Sequence, residues 1–305
     1  MPALTTYTKV LTELQAAKLR TVLAAKGFKF TEKPYCLYAA EGTKVNVAVY
    51  EKGPKIVAQG KGVEEFITFT LEPEVLGVAE LGYEEVNQPE MFEPHLGIDE
   101  SGKGDFFGPL VIAGAYVEAS MARKLRDMGV MDSKRIGSDA RIEAIAGDMR
   151  AARVVHEVIV IGPERYNELY TKFGNLNRLL AWGHARVIEN LLERVPDCPM
   201  ALSDQFANPR VLQSALLEKG KTIDLQQRTK AESDPAVAAA SIFAREKFVR
   251  WLKEAGDRLG IVLPKGASPA VKQAGAELIR KHGADILPKV AKMHFKTAIE
   301  VAAIA

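Results

Sequence analysis

The chain has 305 residues, of which 47% are hydrophobic, and a formal net charge of +2. It exceeds the usual size of one domain, so we expect a large buried core divided between two domains. No apolar run approaches a membrane span and the N-terminus lacks a secretion signal, which predicts a cytoplasmic protein without membrane association. The two cysteines, Cys36 and Cys198, lie far apart and predict buried free thiols rather than a zinc site or a disulfide framework.

The charge is unevenly distributed along the chain. Residues 1–62 hold ten Lys and Arg against four acids, whereas residues 63–93 hold nine glutamates and neither Lys nor Arg. Such a break in charge is typical of a basic module followed by an acidic connector. We therefore predict three segments: an N-terminal domain over 1–75, an acidic linker over 76–92 and a C-terminal domain over 93–305.

The N-terminal segment has the pattern of a small α+β domain. A predicted strand, Tyr7–Val10, precedes a predicted helix over 12–27, which begins with the capping-box spacing of Thr12 and Gln15. A further helix follows three predicted strands: Tyr35–Ala39, Lys44–Tyr50 and Lys55–Gln59. In the middle strand one face carries the valines Val45, Val47 and Val49. The opposite, polar face is either a binding platform or an ordinary solvated surface.

The C-terminal segment alternates strands with helices, which predicts an α/β fold with a central mixed sheet. The predicted strands are Leu96–Asp99, Leu110–Val117, Val154–Ile161, Ala201–Ser203 and Thr222–Leu225. The predicted helices are Ser138–Arg150, Asn177–Arg194, Pro209–Lys219, Ala236–Ala255, Pro269–His282 and Lys289–Ala303.

Two adjacent carboxylates, Asp99 and Glu100, end the first of these strands. Successive strand side chains point to opposite faces, so we expect the pair to share one site only if the strand bends or ends between them. The turn Gly102-Lys103-Gly104 offers that bend, and its glycines let backbone N–H groups line a nest against a phosphate or a sugar hydroxyl. The alternative interpretation is a strand end followed by a solvated turn.

Two further acids, Asp204 and Asp234, stand near strand ends, where α/β proteins keep reactive groups. If all four acids face one pocket, their charges repel, and a divalent cation or a shared proton relieves the repulsion. Ligation by oxygen alone favours Mg²⁺ or Mn²⁺ over zinc. A pair of such ions about 3.5–4 Å apart promotes an in-line phosphodiester displacement.

Each of these acids also has a structural interpretation. Asp234 can cap the helix that starts at Pro235, and Asp204 can end a strand in a turn. Glu232 is a second acidic candidate beside Asp234, and the sequence leaves an exchange of roles open. The segment Asp132-Ser133-Lys134 is either a turn before a helix or a device that puts its lysine on a phosphate.

Together these motifs resemble those of ribonuclease HIII, a type 2 ribonuclease H. The resemblance spans the chain and is carried by four ordered motifs: Asp99-Glu100-Ser101-Gly102-Lys103-Gly104-Asp105-Phe106-Phe107-Gly108-Pro109-Leu110, Asp132-Ser133-Lys134, Asp204-Gln205-Phe206, and Lys230-Ala231-Glu232-Ser233-Asp234 followed by Ala238-Ala239-Ala240-Ser241. It implies a catalytic domain with the ribonuclease-H-like fold. It also implies that the basic N-terminal segment is a substrate-binding domain similar to half of a TATA-binding protein.

The same resemblance implies a metal-dependent endoribonuclease that hydrolyses the RNA strand of RNA/DNA hybrids by a two-metal-ion mechanism, leaving 5′-phosphate and 3′-hydroxyl ends. The implied cofactor is Mg²⁺ or Mn²⁺, and the implied catalytic and metal-binding residues are Asp99, Glu100, Asp204 and Asp234. The residues implied to contact nucleic acid are Ser101, Gly102, Lys103, Gly104 and Lys134. Contact with the 2′-hydroxyl fits this role because that group distinguishes RNA from DNA. The expected partner is an RNA/DNA hybrid bound by a monomer, with no obligate protein partner.

Two other functions stay open. One is incision at single ribonucleotides in DNA, as in ribonuclease HII; that enzyme commonly has an arginine where Lys103 stands and lacks the N-terminal domain, and both differences favour type HIII. The other is a non-catalytic nucleic-acid-binding protein whose acids merely cap helices and end strands.

Overall fold

The structure is a computed structural model that describes residues 4–77, 89–229 and 231–305. The chain divides into two compact units, Met1–Glu90 and Met91–Ala305. The predicted linker over 76–92 falls largely outside the described residues, so the predicted domain limits stay a prediction. None of the described helices is long and apolar enough to span a bilayer.

The N-terminal unit contains a five-stranded sheet in the order β1-β5-β4-β3-β2, in which every neighbouring pair is antiparallel. Its strands are β1 (Thr6–Val10), β2 (Lys29–Thr31), β3 (Cys36–Glu41), β4 (Asn46–Tyr50) and β5 (Lys55–Gln59). The predicted strands are confirmed with small changes at their ends. The sequence did not indicate β2, because its three residues are all exposed and show no apolar alternation.

Helices pack against one face of this sheet. The predicted first helix is confirmed as α1 (Glu13–Ala25), and Thr12 and Gln15 form the capping box. The second, α2 (Val63–Phe66), continues as a π-helix over Ile67–Leu76. The alternate valines of β4 are buried against these helices as predicted, which leaves the opposite face of the sheet uncovered by them. This arrangement is compatible with half of a TATA-binding protein.

The C-terminal unit contains the predicted mixed sheet, in the order β10-β9-β6-β7-β8. Its strands are β6 (His95–Ser101), β7 (Leu110–Val117), β8 (His156–Ile161), β9 (Met200–Asp204) and β10 (Asp224–Arg228). The central strand β6 runs antiparallel to β7 and parallel to β9. The carboxyl ends of β6 and β9 therefore lie side by side.

The helices of this unit are α3 (Ala119–Asp127), α4 (Asp139–Ala151), α5 (Pro163–Phe173), α6 (Leu176–Arg194), α7 (Pro209–Ala215), α8 (Pro235–Leu259), α9 (Pro269–His282), α10 (Leu287–Val290) and α11 (Lys296–Ile304). The sequence did not indicate α3 and α5, because each is largely polar and buries few side chains. The single helix predicted over Lys289–Ala303 is wrong. The chain leaves α10 and forms an isolated β-bridge between Ala291 and Phe107 before α11 begins.

Helix α8 covers one face of the sheet and α6 covers the other. A Cβ at Gly97 of β6 would lie 2.1 Å from the backbone nitrogen of Val237 in α8, so this close approach requires glycine. On the opposite face, a Cβ at Gly114 of β7 would lie 2.6 Å from the side chain of Val187 in α6. Both faces of the central strands are therefore packed against helices, and only their ends are left for a site.

Candidate active site

A cavity of about 400 Å³ opens at the adjoining ends of β6 and β9. All the predicted site residues except Asp234 line it. Asp105 and Ser133, which belong to the sequence motifs, also line it, together with four residues that the sequence did not single out: Arg245, Phe248, Val249 and Lys265. The cavity thus combines carboxylates, a glycine-rich turn and several basic side chains.

Asp99 and Asp204 come from neighbouring parallel strands. The register pairs Ile98 of β6 with Ser203 of β9, and the next residue on each strand is an acid. Reactive groups commonly gather at the carboxyl ends of strands in α/β folds. The sequence prediction that these two acids converge is confirmed.

Glu100 reaches the same cavity from the opposite face of β6. Pairing between β6 and β7 is unbroken from His95 to Ser101, so the predicted bend or strand end between the two acids is wrong. Asp99 lies on the face covered by α8 and Glu100 on the face covered by α6. Both side chains line one cavity because the cavity lies at the end of the sheet, where it is reached from both faces.

Asp99 is the acid of this cavity whose ionised form is most disfavoured by its surroundings. The residue is 8% exposed, and its Oδ1 accepts the backbone N–H of Glu100 at 2.8 Å. Burial raises the pKa of Asp99 well above its usual range, and the charges of Glu100 and Asp204 raise it further, while Lys134 opposes them. Negative charge that is buried and incompletely balanced favours the binding of a cation or a proton.

Glu100 differs from Asp99 because two basic side chains contact its carboxylate. Nε2 of His184 lies 3.1 Å from Oε2, and Nζ of Lys103 lies 3.5 Å from Oε1. Burial alone would raise the pKa of Glu100, but the hydrogen bond and charge of His184, aided by Lys103, outweigh it and lower that pKa. The surroundings therefore favour the ionised form of Glu100 and disfavour the ionised form of Asp99.

His184 is a site residue that sequence reasoning missed. It lies in the middle of α6 with no exposed surface, and its Nδ1 is 3.1 Å from the Oγ of Ser203. That hydroxyl in turn donates to the backbone carbonyl of Asp204 at 3.0 Å. One buried ring therefore links Glu100 on β6 to the end of β9. The only sequence signal was a histidine within an apolar helix, a pattern more typical of an ordinary core residue.

The turn after β6 requires glycine at one of its two glycine positions. Gly102 has φ +88°, and a Cβ there would lie 2.2 Å from the carbonyl oxygen of Pro109. Gly104 does not have a positive φ, and a Cβ there would meet no atom within 4 Å. Between them, Lys103 brings its ammonium to Glu100 and lies 5.6 Å from the ring centroid of Phe206.

Lys134 lines the cavity on a turn, as one interpretation of its segment expects, and its contact with a phosphate stays a prediction. Asp132 accepts the backbone N–H of Lys134 at 3.0 Å, and the N–H of Ser133 donates to the Oγ of Ser241 at 3.1 Å. Arg245 donates to the carbonyl of Ser133. Burial lowers the pKa of Lys134, but surrounding acids raise it overall: Asp99, Asp132, Glu232 and Asp204.

Asp234 does not line the cavity, and neither does Glu232, so the place of Asp234 in the acidic set stays a prediction. Asp234 is 3% exposed and is the N-cap of α8, where its Oδ1 accepts the N–H groups of Ala236 at 2.8 Å and Val237 at 3.1 Å. The same oxygen lies 3.0 Å from Nε2 of His95. Burial lowers the pKa of His95, but the hydrogen bond and charge of Asp234 raise it overall. The contacts of Asp234 match the capping interpretation.

Glu232 lies in a 3₁₀ turn, Ala231–Ser233, just before α8. The N–H of Ala231 is 3.4 Å from Oδ1 of Asp204, and the charge of Glu232 acts on Lys134. Of the two acids in this motif, Glu232 is therefore the one that shares its electrostatic surroundings with Asp99 and Asp204.

The acids fit a hard divalent cation by their chemistry. Carboxylate oxygens are the preferred ligands of Mg²⁺ and Mn²⁺, and the raised pKa of Asp99 reflects negative charge that a cation would neutralise. Within 4–77, 89–229 and 231–305, no three His, Cys, Asp or Glu side chains are gathered closely enough to hold an ion as they stand.

Comparisons with known proteins agree with this architecture. The Ribonuclease HII family model matches residues 96–298. Ribonuclease HIII of Chlamydia abortus is 44% identical over 93% of this chain and 93% of its own length, and that of Protochlamydia amoebophila is 42% identical over 97% of each. Among solved structures, Bst-RNase HIII in complex with Mn²⁺ has a TM-score of 0.67 and 27% identity, covering 98% of this chain and 99% of its own.

A second solved structure, RNase H3 of Aquifex aeolicus, has a TM-score of 0.56 and 32% identity, covering 95% of this chain and 100% of its own. These likenesses extend over both units of the chain rather than over the C-terminal unit alone. The chain belongs to the ribonuclease HIII family.

Proposed function

We propose that this chain hydrolyses the RNA strand of RNA/DNA hybrids at the cavity where β6 and β9 end, and that a divalent ion, Mg²⁺ or Mn²⁺, is held there. The single observation that carries the proposal is the convergence of Asp99, Glu100 and Asp204 in one cavity, with the pKa of Asp99 raised by its burial and its acidic neighbours. Family membership agrees with this activity.

We propose Glu232, rather than Asp234, as the fourth acid of the set. The charge of Glu232 raises the pKa of Lys134, as do the charges of Asp99 and Asp204. That these acids act on the same ammonium supports this role. Asp234 by contrast is committed to two backbone N–H groups and to His95. A carboxylate that caps a helix and pairs with a buried histidine has little capacity left for an ion.

Bound ions at these acids would activate a water molecule and stabilise the leaving oxygen of an in-line displacement. The chain's own groups orient the substrate. The ammonium groups of Lys103 and Lys134 offer positive charge for backbone phosphates, and we propose that the backbone of the turn over Gly102 and Gly104, which lines the cavity, contacts a ribose. His184 keeps Glu100 ionised and fixed in place.

We further propose that the N-terminal unit binds the hybrid, with domain limits near 1–75 and 93–305. Support comes from its surplus of positive charge, since residues 1–62 hold ten Lys and Arg against four acids. The uncovered face of its sheet forms a shallow concavity with polar and aromatic lining, including Asn46, Tyr50 and Gln59. A monomeric state and a cytoplasmic location stay predictions from the sequence.

The test is cleavage by the purified chain in Mg²⁺ or Mn²⁺ of three short duplexes of matched sequence: an RNA/DNA hybrid, a DNA duplex with one embedded ribonucleotide, and plain DNA. We expect rapid cutting of the RNA strand of the hybrid, with 5′-phosphate products. Preferred incision at the single ribonucleotide would instead support a ribonuclease-HII-like activity. Equal cutting of plain DNA and hybrid would defeat the proposal.

A further inference from the structure

Lys292 is a fully buried lysine that touches the loop carrying the active-site glycines. It follows α10 and has no exposed surface, yet neither the sequence motifs nor the acidic set includes it. We propose that Lys292 is a positioning residue that fixes the shape of the loop over 102–108 and so presents Lys103 to the substrate backbone. This inference rests on the function proposed above.

The ammonium of Lys292 donates hydrogen bonds to three backbone carbonyls of this loop. Its Nζ donates to the carbonyl oxygen of Asp105 at 2.9 Å, of Gly108 at 2.7 Å and, more weakly, of Phe107 at 3.4 Å. An ammonium has three N–H donors and no acceptor, so the three carbonyls match its full capacity. The contact bridges 187 positions of sequence between Lys292 and Asp105.

Backbone hydrogen bonds align the two segments on either side of that ammonium. The N–H of Lys292 donates to the carbonyl of Phe106 at 2.9 Å, and the N–H of Gly108 donates to the carbonyl of Val290 at 2.9 Å. The bridge between Phe107 and Ala291 lies between them. The downstream end of the loop is therefore paired, residue by residue, with the segment that holds Lys292.

A second tie holds the middle of the loop. Oδ1 of Asp105 accepts the N–H of Gly266 at 2.6 Å, and the N–H of Phe106 donates to the carbonyl of Gly266 at 3.0 Å. The neighbouring Lys265 lines the active-site cavity. Two distant segments of the C-terminal unit thus converge on the residues directly after Lys103 and Gly104, while the upstream end continues into β6 and its acids.

The surroundings of Lys292 explain why a lysine is needed rather than a packed apolar residue. Three carbonyl oxygens converge on one buried point, and each would lose its partner if the ammonium were absent. The rings of Tyr166 and Phe248 flank it, with centroids 5.6 and 6.0 Å from Nζ. The titratable groups around it are Asp105, Tyr166 and His294. Burial lowers the pKa of Lys292 to about 7, so its three donors are complete on the acidic side of neutrality.

The test compares Lys292→Met with Lys289→Met in the full chain, on the acidic side of neutrality. Methionine keeps most of the length of the side chain and removes its donors, and Lys289 is an exposed lysine in the same segment. If the loop no longer presents Lys103, the substrate loses a charge-assisted hydrogen bond, which corresponds to about 10–100-fold in binding, so we expect KM for the hybrid to rise by that factor in Lys292→Met. We expect kcat to change much less, and Lys289→Met to match the wild type.

Two further readouts separate positioning from general destabilisation. Amide hydrogen exchange over 103–108 should be faster in Lys292→Met than in the wild type, with other core segments unchanged. In a double-mutant cycle, Lys103→Ala should cost less in KM when Lys292 is already Met, because the loop no longer presents Lys103. Additive effects, or unchanged exchange in the loop, overturn the inference.

If Lys292→Met does not fold, Lys292→Gln replaces it, since the amide keeps two donors at a shorter reach. A smaller rise in KM with the same non-additivity supports the inference, and a wild-type KM overturns it. Wild-type activity is measured first. A wild type that leaves the hybrid intact defeats the proposed function, whereas normal cleavage with additive variants defeats only the role of Lys292.

Discussion

Oδ1 of Asp234 lies 3.0 Å from Nε2 of His95 and also accepts two backbone N–H groups at the start of α8. His95 in turn contacts the carbonyl of Glu93 through Nδ1 at 2.7 Å. This buried chain of contacts joins the beginning of β6 to the beginning of α8. Through these contacts Asp234 connects β6 to α8 at the end of β6 opposite the acids that line the cavity.

The first prediction separates the two acids of this motif. Loss of a residue that only orients a metal ligand lowers activity by about 10–100-fold. If Glu232 is itself a ligand, Glu232→Gln should lower kcat by more than that. Asp234→Asn should keep most activity, because its amide oxygen still caps α8, while stability falls by about 1 kcal/mol through the weaker cap and the lost charge beside His95. Steady-state cleavage of the hybrid and urea unfolding measure the two effects. The reverse pattern of kcat would restore Asp234 to the acidic set.

The second prediction concerns His184, which holds Glu100 and Ser203. His184→Phe fills the same space without ring nitrogens, so Glu100 loses its buried partner. We expect activity or metal affinity to fall by about 10–100-fold, as for other groups that orient a metal ligand. Calorimetric titration with Mn²⁺ measures the affinity, and His282→Phe, on an exposed position, is the control. Unchanged affinity and kcat would show that Glu100 does not depend on this contact.

The third prediction uses the pKa of Lys292. In the folded protein it is about 7, below its ordinary value of 10.5. Between these values the unfolded chain binds a proton that the folded protein lacks, so this residue makes stability rise with pH by up to about 1.4 kcal/mol per pH unit. Below pH 7 both states are protonated and the effect ends.

Urea unfolding at several pH values checks this dependence. The wild type should gain stability relative to Lys292→Met as the pH rises above neutrality, with little relative change below it. Stability curves that run parallel across the whole range would contradict a lowered pKa for this lysine.

The fourth prediction concerns the N-terminal unit. Removing residues 1–75 takes away all ten Lys and Arg of the basic segment over 1–62, so we expect weaker hybrid binding that is also less sensitive to salt. Cleavage at saturating substrate should change little, because the acids all belong to the C-terminal unit. Circular dichroism confirms folding of the truncated chain first. Loss of turnover at saturation in a folded truncation would contradict this division of roles.

The sequence sufficed for features that depend on local pattern. The strand periodicity placed Asp99 and Asp204 at strand ends, and the mixed sheet then brought those ends together. The sequence could not decide which of Glu232 and Asp234 serves the cavity, because the two acids stand only two positions apart. Asp234 caps α8, and the position of that cap depends on the packing of α8 against Gly97. His184 and Lys292 act across 84 and 187 positions of sequence, and nothing near either residue indicates its partner.

The proposed reaction depends most directly on Asp99, and cleavage of one labelled RNA/DNA hybrid by an Asp99→Asn variant tests this dependence. Losing several kcal/mol of charge stabilisation corresponds to a fall in cleavage of about 10²–10³-fold or more. Binding of the hybrid should stay equal or become tighter, because one negative charge beside the phosphates is gone. Cleavage at the wild-type rate by the folded variant would contradict a reaction at this cavity.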